Sequence, residues 1–138
     1  MDDKIKNLLN KMIKNNTDSI ALYKLLMERS NNSRDKLILK EILALTEKNN
    51  AMLQMIYSNI TNTQSHGMRS LYIEDIAIDH NYIDALQKSY YLSNQKILND
   101  NELLTLMMET EYHNKLHTLL INDIYITNLL NYLIITNT

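Results

Sequence analysis

The sequence contains no cysteine, no proline and a single glycine, Gly67, among 138 residues. Without cysteine the chain has neither disulfides nor thiolate ligands, which excludes a four-cysteine iron centre. One glycine is too few for a glycine-rich phosphate-binding loop. Few residues therefore remain to mark turns between strands, and we expect a helical protein.

The chain also lacks a strong charge of either sign, since its formal net charge is −2. No broad basic surface is available to attract nucleic acid or anionic lipid, so we expect neither partner. The N-terminal residues are charged, unlike a signal peptide, and a cytoplasmic location is expected. The most apolar stretch, 116–135, is interrupted by Asn and Asp, which are costly in a bilayer. We interpret it as a buried or oligomer-facing helix.

Apolar residues recur every three or four positions, which is typical of helices. This spacing predicts helices at 3–29, 34–60 and 68–92. A loop is expected at 93–100, and a fourth helix begins near Asn99 to Glu102, where an Asn or Asp cap suits a helix start, and ends near 135. Long helices with short connections favour an all-α, up-down-up-down four-helix bundle. We expect one domain, 1–138, built from two helical hairpins at about 3–60 and 68–136.

Polar residues interrupt the apolar stripe of each predicted helix near its middle. An unpaired buried polar side chain costs roughly 1–3 kcal/mol, so we expect these residues to have partners or a function. If all face inward, they can meet at one level of the bundle. In chain order they are Asn16, then Glu47 and Asn50, then His80, then Thr110 and His113.

The spacing of these residues suggests an internal duplication. Asn16 precedes Glu47 by about 31 positions and His80 precedes Thr110 by about 30, as expected for a repeated helical hairpin. Asn50 follows Glu47, and His113 follows Thr110, by the same three positions. The two halves are therefore predicted to be similar hairpins.

These segments resemble the ferritin-like superfamily, and its rubrerythrin-type branch in particular. In that branch each half offers a Glu about seven residues before a Tyr, followed on the next helix by Glu-x-x-His. The segments 16–23 and 47–50 resemble the first half, with Asn16 at the Glu position and Asn50 at the His position. The segments 76–80 and 110–113 resemble the second half, with His80 and Thr110 at the two Glu positions.

The resemblance implies a degenerate di-iron site. Only Glu47 and His113 keep the usual ligand, and His80 is a replacement that can bind metal. Asn16, Asn50 and Thr110 are then vestigial ligand positions. Two neighbouring metal ions need bridging carboxylates, of which one remains.

Three readings of these residues stay open. Glu47, His80 and His113 can form a 2-His-1-carboxylate set for one Fe, Mn or Zn ion. Alternatively, the polar residues form a hydrogen-bonded network without metal. In the third reading the stripes are assigned incorrectly, and some of these side chains face water.

The sequence thus predicts a ferritin-like bundle that is non-catalytic or weakly metal-binding and that self-associates as a homo-oligomer. Self-association is expected because apolar residues near the C-terminal end extend beyond what a partner helix covers. These residues are Leu129, Leu130, Leu133, Ile134 and Ile135. One alternative is a mononuclear metal oxidoreductase acting on peroxide or oxygen. A second is a structural or coat-type interaction protein with a specific protein partner.

Overall fold

The computed structural model describes residues 3–63 and 81–138, and these residues fold into four α-helices without a strand. The predicted all-α four-helix bundle is confirmed. The helices are α1 (Asp3–Arg29), α2 (Ser33–Thr61), α3 (Tyr82–Leu106) and α4 (His113–Asn137). Neighbouring helices pack as α1 with α2, α3 with α4, α1 with α3, and α2 with α4.

The first hairpin has nearly the boundaries that the sequence predicts. Asn32 adopts an extended backbone conformation, and its side chain accepts hydrogen bonds from the backbone N–H groups of Arg34 and Asp35. These bonds satisfy two of the donors that a helix start leaves free, so the chain turns and α2 begins at once. Asn62, with φ of 57°, ends α2 in the left-handed conformation.

The predicted boundaries in the second hairpin are wrong. Residues 93–100 lie inside α3 instead of forming a loop, and the connection to α4 is at 107–112. The fourth helix begins at His113, well after the predicted start near Asn99. The start predicted at residue 68 lies outside the described residues, and α3 is described from Tyr82, with Asn81 as its N-cap.

The reason for this error is that polar side chains in α3 bond to helix carbonyls or to another helix. The Asn94 amide donates to the carbonyl oxygen of Tyr90, one turn earlier. The Ser93 hydroxyl pairs with that of Thr127 in α4. Ser and Asn favour loops in sequence-based predictions because their side chains often hydrogen-bond to backbone groups in place of the helical hydrogen bonds.

The ends of three helices meet at one buried carboxylate. Asp35, in the first turn of α2, accepts from the Tyr82 hydroxyl at 3.2 Å and from the Asn137 amide at 2.9 Å. Burial, together with the nearby carboxylate, raises the pKa of Tyr82 to about 12, so its hydroxyl keeps the proton that it donates. The starts of α2 and α3 and the end of α4 therefore lie at the same end of the bundle.

This arrangement corrects the predicted helix order. Because α2 and α3 both start at the same end, they run in the same direction, and the end of α2 lies at the opposite end of the bundle from the start of α3. The two hairpins are antiparallel as predicted, but the bundle is up-down-down-up instead of up-down-up-down.

Two apolar clusters fill the ends of the bundle and leave its middle to polar residues. One cluster includes Leu22, Leu26, Leu39, Ile42, Leu86, Ile126, Leu130 and Leu133. The other includes Leu9, Ile13, Leu53, Ile56, Leu103, Leu116 and Leu119.

We predict that Asp35→Ala lowers the free energy of unfolding by about 2 kcal/mol, because the Tyr82 hydroxyl and the Asn137 amide lose a buried acceptor. Urea unfolding followed by circular dichroism measures the change. Asn31→Ala, at an exposed position in the same loop, is the control. Equal stability of the two variants would contradict the role given to Asp35.

Candidate functional site

A layer of buried polar side chains crosses the bundle between the two apolar clusters. All four helices contribute to it. Its members are Asn16 and Ser19 of α1, Thr46, Asn49 and Asn50 of α2, Ser93, Lys96, Asn99 and Asp100 of α3, and Asp123 and Thr127 of α4. We call this set the polar layer.

Two buried carboxyl groups lie next to each other in the polar layer. Asp100 and Asp123 are both 2 % exposed. Burial raises the pKa of Asp100 well above its ordinary value, and the neighbouring Asp123 raises it further, whereas Lys96 lowers it. The raised pKa favours the protonated form of Asp100, because two adjacent buried carboxylates cannot both ionise without a large cost.

Lys96 provides the positive charge in the polar layer. It is 4 % exposed, and its Nζ atom lies 5.7 Å from the centre of the Tyr23 ring. Burial lowers the pKa of Lys96, whereas Asp123, Asp100 and Asp18 favour its charged form. Its Nζ atom has no hydrogen-bond partner among the residues of 3–63 and 81–138.

Amide and hydroxyl groups complete the polar layer. The Asn49 amide donates to Asp123 at 3.1 Å, and the Asn49 oxygen accepts from Asn122 at 3.0 Å. The hydroxyls of Ser93 and Thr127 lie 2.6 Å apart, and Thr127 also donates to the carbonyl oxygen of Asp123. Asp123 thus lies at the centre of a network that joins α2, α3 and α4.

The polar layer contains only some of the residues that the sequence predicted for it. Asn16 and Asn50 are buried there, as predicted. Glu47 is exposed, so the prediction that it faces inward is wrong. Thr46 and Asn49 take the inward positions next to it, because the buried stripe of α2 passes through them. His80 lies outside the described residues.

Thr110 and His113 are also absent from the polar layer. Thr110 lies in the exposed connection between α3 and α4, where its hydroxyl donates to the carbonyl oxygen of Met107. The prediction that it lies within a helix is wrong. His113 is the first residue of α4, about 15 Å along the helix axis from Asp123. Its ring is 6.2 Å from that of His117.

No group of three or more His, Cys, Asp or Glu residues that could hold a metal ion occurs in the part of the chain that the structure describes. The set of Glu47, His80 and His113 includes a residue outside the described part of the chain and stays a prediction, although Glu47 faces solvent.

Three ionisable residues of the polar layer are not among the site residues that the sequence predicts. Lys96 and Asp100 lie in the predicted loop, and Asp123 interrupts the apolar stretch of the last helix. A signal was present, since Lys96 and Asp100 continue the three-and-four spacing that begins at Ser89 and Ser93.

A second feature is the surface of α4 that points away from the bundle. Its large apolar residues are exposed at helical spacing, with Asn128 in the middle of the stripe. Between residues 116 and 138 the only Lys, Arg, Asp or Glu is Asp123, which is buried. We define the outer face of α4 by Ile121, Ile124, Tyr125, Asn128, Tyr132 and Ile135.

These residues differ from those predicted to promote self-association. Leu130 and Leu133 are fully buried in the core, and Leu129 and Ile134 are half-buried against it. The prediction that they leave apolar surface is wrong, because their stripe faces the other helices. Only Ile135, at 63 % exposed, belongs to the outer face.

By length and composition alone, α4 is the one helix of the described residues that could cross a membrane. However, 33 % of its most apolar window is buried inside the bundle. Core helices of soluble proteins have the same composition.

No family model, curated protein or solved structure matches this chain. Function is therefore inferred from the polar layer and from the outer face of α4.

We predict that the free energy of unfolding of the Asp100→Asn variant, measured relative to that of wild type, increases as pH rises. The folded-state pKa of Asp100 lies above its ordinary value of 3.8, so folding takes up a proton between the two values. The stability from protonated Asp100 is present below pH 3.8 and is lost as pH rises through the folded-state pKa. An Asn side chain keeps the shape of the protonated acid but does not titrate.

Urea unfolding at a series of pH values from about 4 to 8 measures this effect, whose slope is at most about 1.4 kcal/mol per pH unit. Asp84→Asn, which removes an exposed carboxylate from the same helix, is the matched control. If the difference in free energy of unfolding between Asp100→Asn and wild type stays constant with pH, the raised pKa of Asp100 in the folded state is refuted.

Proposed function

We propose that this chain is a ferritin-like bundle that has lost most of its di-iron ligands and acts as a non-catalytic, self-associating structural protein. The observation that carries this proposal is the outer face of α4, where large apolar side chains are exposed and no charged residue is present. A contiguous apolar surface of this kind commonly marks a site of protein association.

The helix directions support a ferritin-like scaffold. Bundles of that class contain two antiparallel hairpins joined by one long crossover connection. Here the end of α2 lies at the opposite end of the bundle from the start of α3, and the two helices run in the same direction. This agrees with the resemblance of the segments around Asn16 and Asn50.

The polar layer supports a non-catalytic role. Ferritin-like di-iron proteins hold metal between Glu and His side chains in the middle of the bundle. At that level this chain places Lys96 near Asp100 and Asp123, together with Asn side chains. An ammonium group compensates carboxylate charge and repels a metal cation, so the layer is suited to holding the helices together.

The distribution of exposed apolar residues supports self-association through α4. Single exposed apolar residues, such as Leu98 in α3 and Met108 after it, are ordinary on protein surfaces. On α4, by contrast, Ile121, Ile124 and Tyr125 lie on the same stripe of the helix as Tyr132 and Ile135, with Asn128 between the two groups. Covering this surface removes apolar area from water, which favours association.

The alternative function, a mononuclear metal oxidoreductase using Glu47, His80 and His113, has less support. Glu47 faces solvent, and His113 lies far from the polar layer. A structural or coat-type role with a different protein partner would use the same outer face of α4, and the first experiment below separates it from self-association.

We predict that the chain self-associates in solution and that Ile124→Glu weakens this association about ten-fold or more, because a charge is then buried at the interface. Sedimentation velocity over a range of micromolar concentrations measures it. Leu98→Glu, at a more exposed apolar position of α3, is the control and leaves association unchanged. A wild-type chain that is monomeric at every concentration would count against self-association.

We also predict that the chain holds no stoichiometric metal. Protein purified without a chelator or a histidine tag, and then incubated anaerobically with Fe²⁺ or Mn²⁺, is analysed by mass spectrometry for metal content. A His80→Ala/His113→Ala variant is compared with wild type. One metal per wild-type chain, lost in this variant, would instead favour the oxidoreductase.

A further inference from the structure

The outer face of α4 presents similar side chains in both directions from Asn128. Ile121 and Ile135 lie seven positions before and after Asn128, and Tyr125 and Tyr132 lie three before and four after it. A second copy that runs antiparallel, with its Asn128 opposite the first, places Ile121 opposite Ile135 and Ile124 opposite Tyr132, so apolar side chains face each other at these positions. A surface that matches itself in this way suits a two-fold dimer, in which both subunits use the same patch.

The charged residues beside the outer face of α4 have a matching arrangement. Glu41 of α2 accepts a 2.8 Å hydrogen bond from the Tyr125 hydroxyl. Arg34 lies seven residues before Glu41 in α2, and its guanidinium carbon is 5.7 Å from the centre of the Tyr132 ring. Arg34 and Glu41 are therefore at the levels of Tyr132 and Tyr125, nearly equidistant from Asn128 along α4.

An antiparallel pairing brings these opposite charges together. A two-fold axis perpendicular to the two α4 helices keeps both α2 helices on the same side of the interface and reverses their direction. Arg34 then lies level with Glu41 of the partner subunit, and Glu41 lies level with the partner's Arg34. Leu37, which is 70 % exposed between these two positions in α2, falls next to the axis.

We infer that two copies of this chain form an antiparallel two-fold dimer through the outer face of α4, with Asn128 and Leu37 at the axis. Arg34 pairs with Glu41 of the partner subunit. This inference rests on the proposed self-association and adds to it the partner, the orientation and the register. Asn128 can hydrogen-bond to its own copy at the axis, a use of buried Asn that fixes register in coiled coils.

A second copy fits this surface better than a lipid bilayer does. Helices that lie on membranes combine an apolar face with flanking Lys and Arg residues. Here the residues that contact the tyrosines of the outer face are one Arg and one Glu, and the chain is slightly acidic. This pairing of opposite charges complements a second copy and gives no net attraction to anionic lipid.

Charge reversal tests the orientation. Arg34→Glu or Glu41→Arg alone puts like charges opposite each other twice in the dimer, and each is expected to weaken it about ten-fold. The Arg34→Glu/Glu41→Arg double variant restores both opposite pairs and recovers most of the affinity. An equimolar mixture of the two single variants forms a heterodimer more tightly than either forms a homodimer.

The absence of cysteine from the chain allows a second test by disulfide formation. Asn128→Cys should cross-link to itself, because a disulfide needs Cα atoms roughly 4.4–6.8 Å apart and this position is at the axis. Ile121→Cys should cross-link to Ile135→Cys only when the two variants are mixed. Self-cross-linking of Ile121→Cys would indicate a parallel dimer and would overturn the inference.

These outcomes separate the inference from the proposed function. A chain that self-associates but whose affinity is unaffected by charge reversal retains the proposed function and overturns the antiparallel dimer. A chain that is monomeric and sediments with vesicles of phosphatidylcholine and phosphatidylserine overturns both.

Discussion

The burial of Lys96 with Asp100 and Asp123 is the constraint on which the rest of the bundle depends. An uncompensated buried charge is costly, so the helices must pack in the register that places Lys96 beside Asp123 and Asp100 and brings the Asn49 amide to Asp123. A shift of one turn would leave a carboxylate or an ammonium in an apolar cluster. The two apolar clusters provide most of the stability, and the polar layer between them specifies the arrangement.

In the proposed function the centre of the bundle holds the helices together and its surface mediates association. Lys96 and Asp100 are almost completely buried, so no solute can reach them without opening the bundle. The surface of α4 is different, because the side opposite its core stripe is also apolar. A helix with this composition is typical of an element covered on both sides, first by its own bundle and then by a partner.

The sequence predicted those parts of the fold in which polar and apolar residues play their usual roles. In α1 and α2 the loop residues Ser30 to Asn32 stand where helices end, and both helices were predicted to within a residue or two. In α3, Asn99 and Asp100 look like a helix cap but are buried within the helix, where Asp100 lies beside Asp123 of α4. The cap-like residues and the three-and-four spacing that runs from Ser89 to Asp100 are conflicting local signals, and only the contacts between helices decide between them. Local spacing likewise does not decide whether Glu47 or Asn49 faces inward. The helix order depends on contacts such as that of Asp35 with Tyr82, which periodicity cannot predict.

The bond between Asp35 and Asn137 has a consequence for cooperativity. It joins residues 102 positions apart and closes a loop that contains most of the chain. Closing such a loop costs more entropy than forming either hairpin, so this contact can form only after both hairpins have docked. The Tyr82 hydroxyl binds the same carboxylate, so separation of the hairpins removes two donors from Asp35 at once. The two hairpins should therefore unfold as one unit instead of melting in turn.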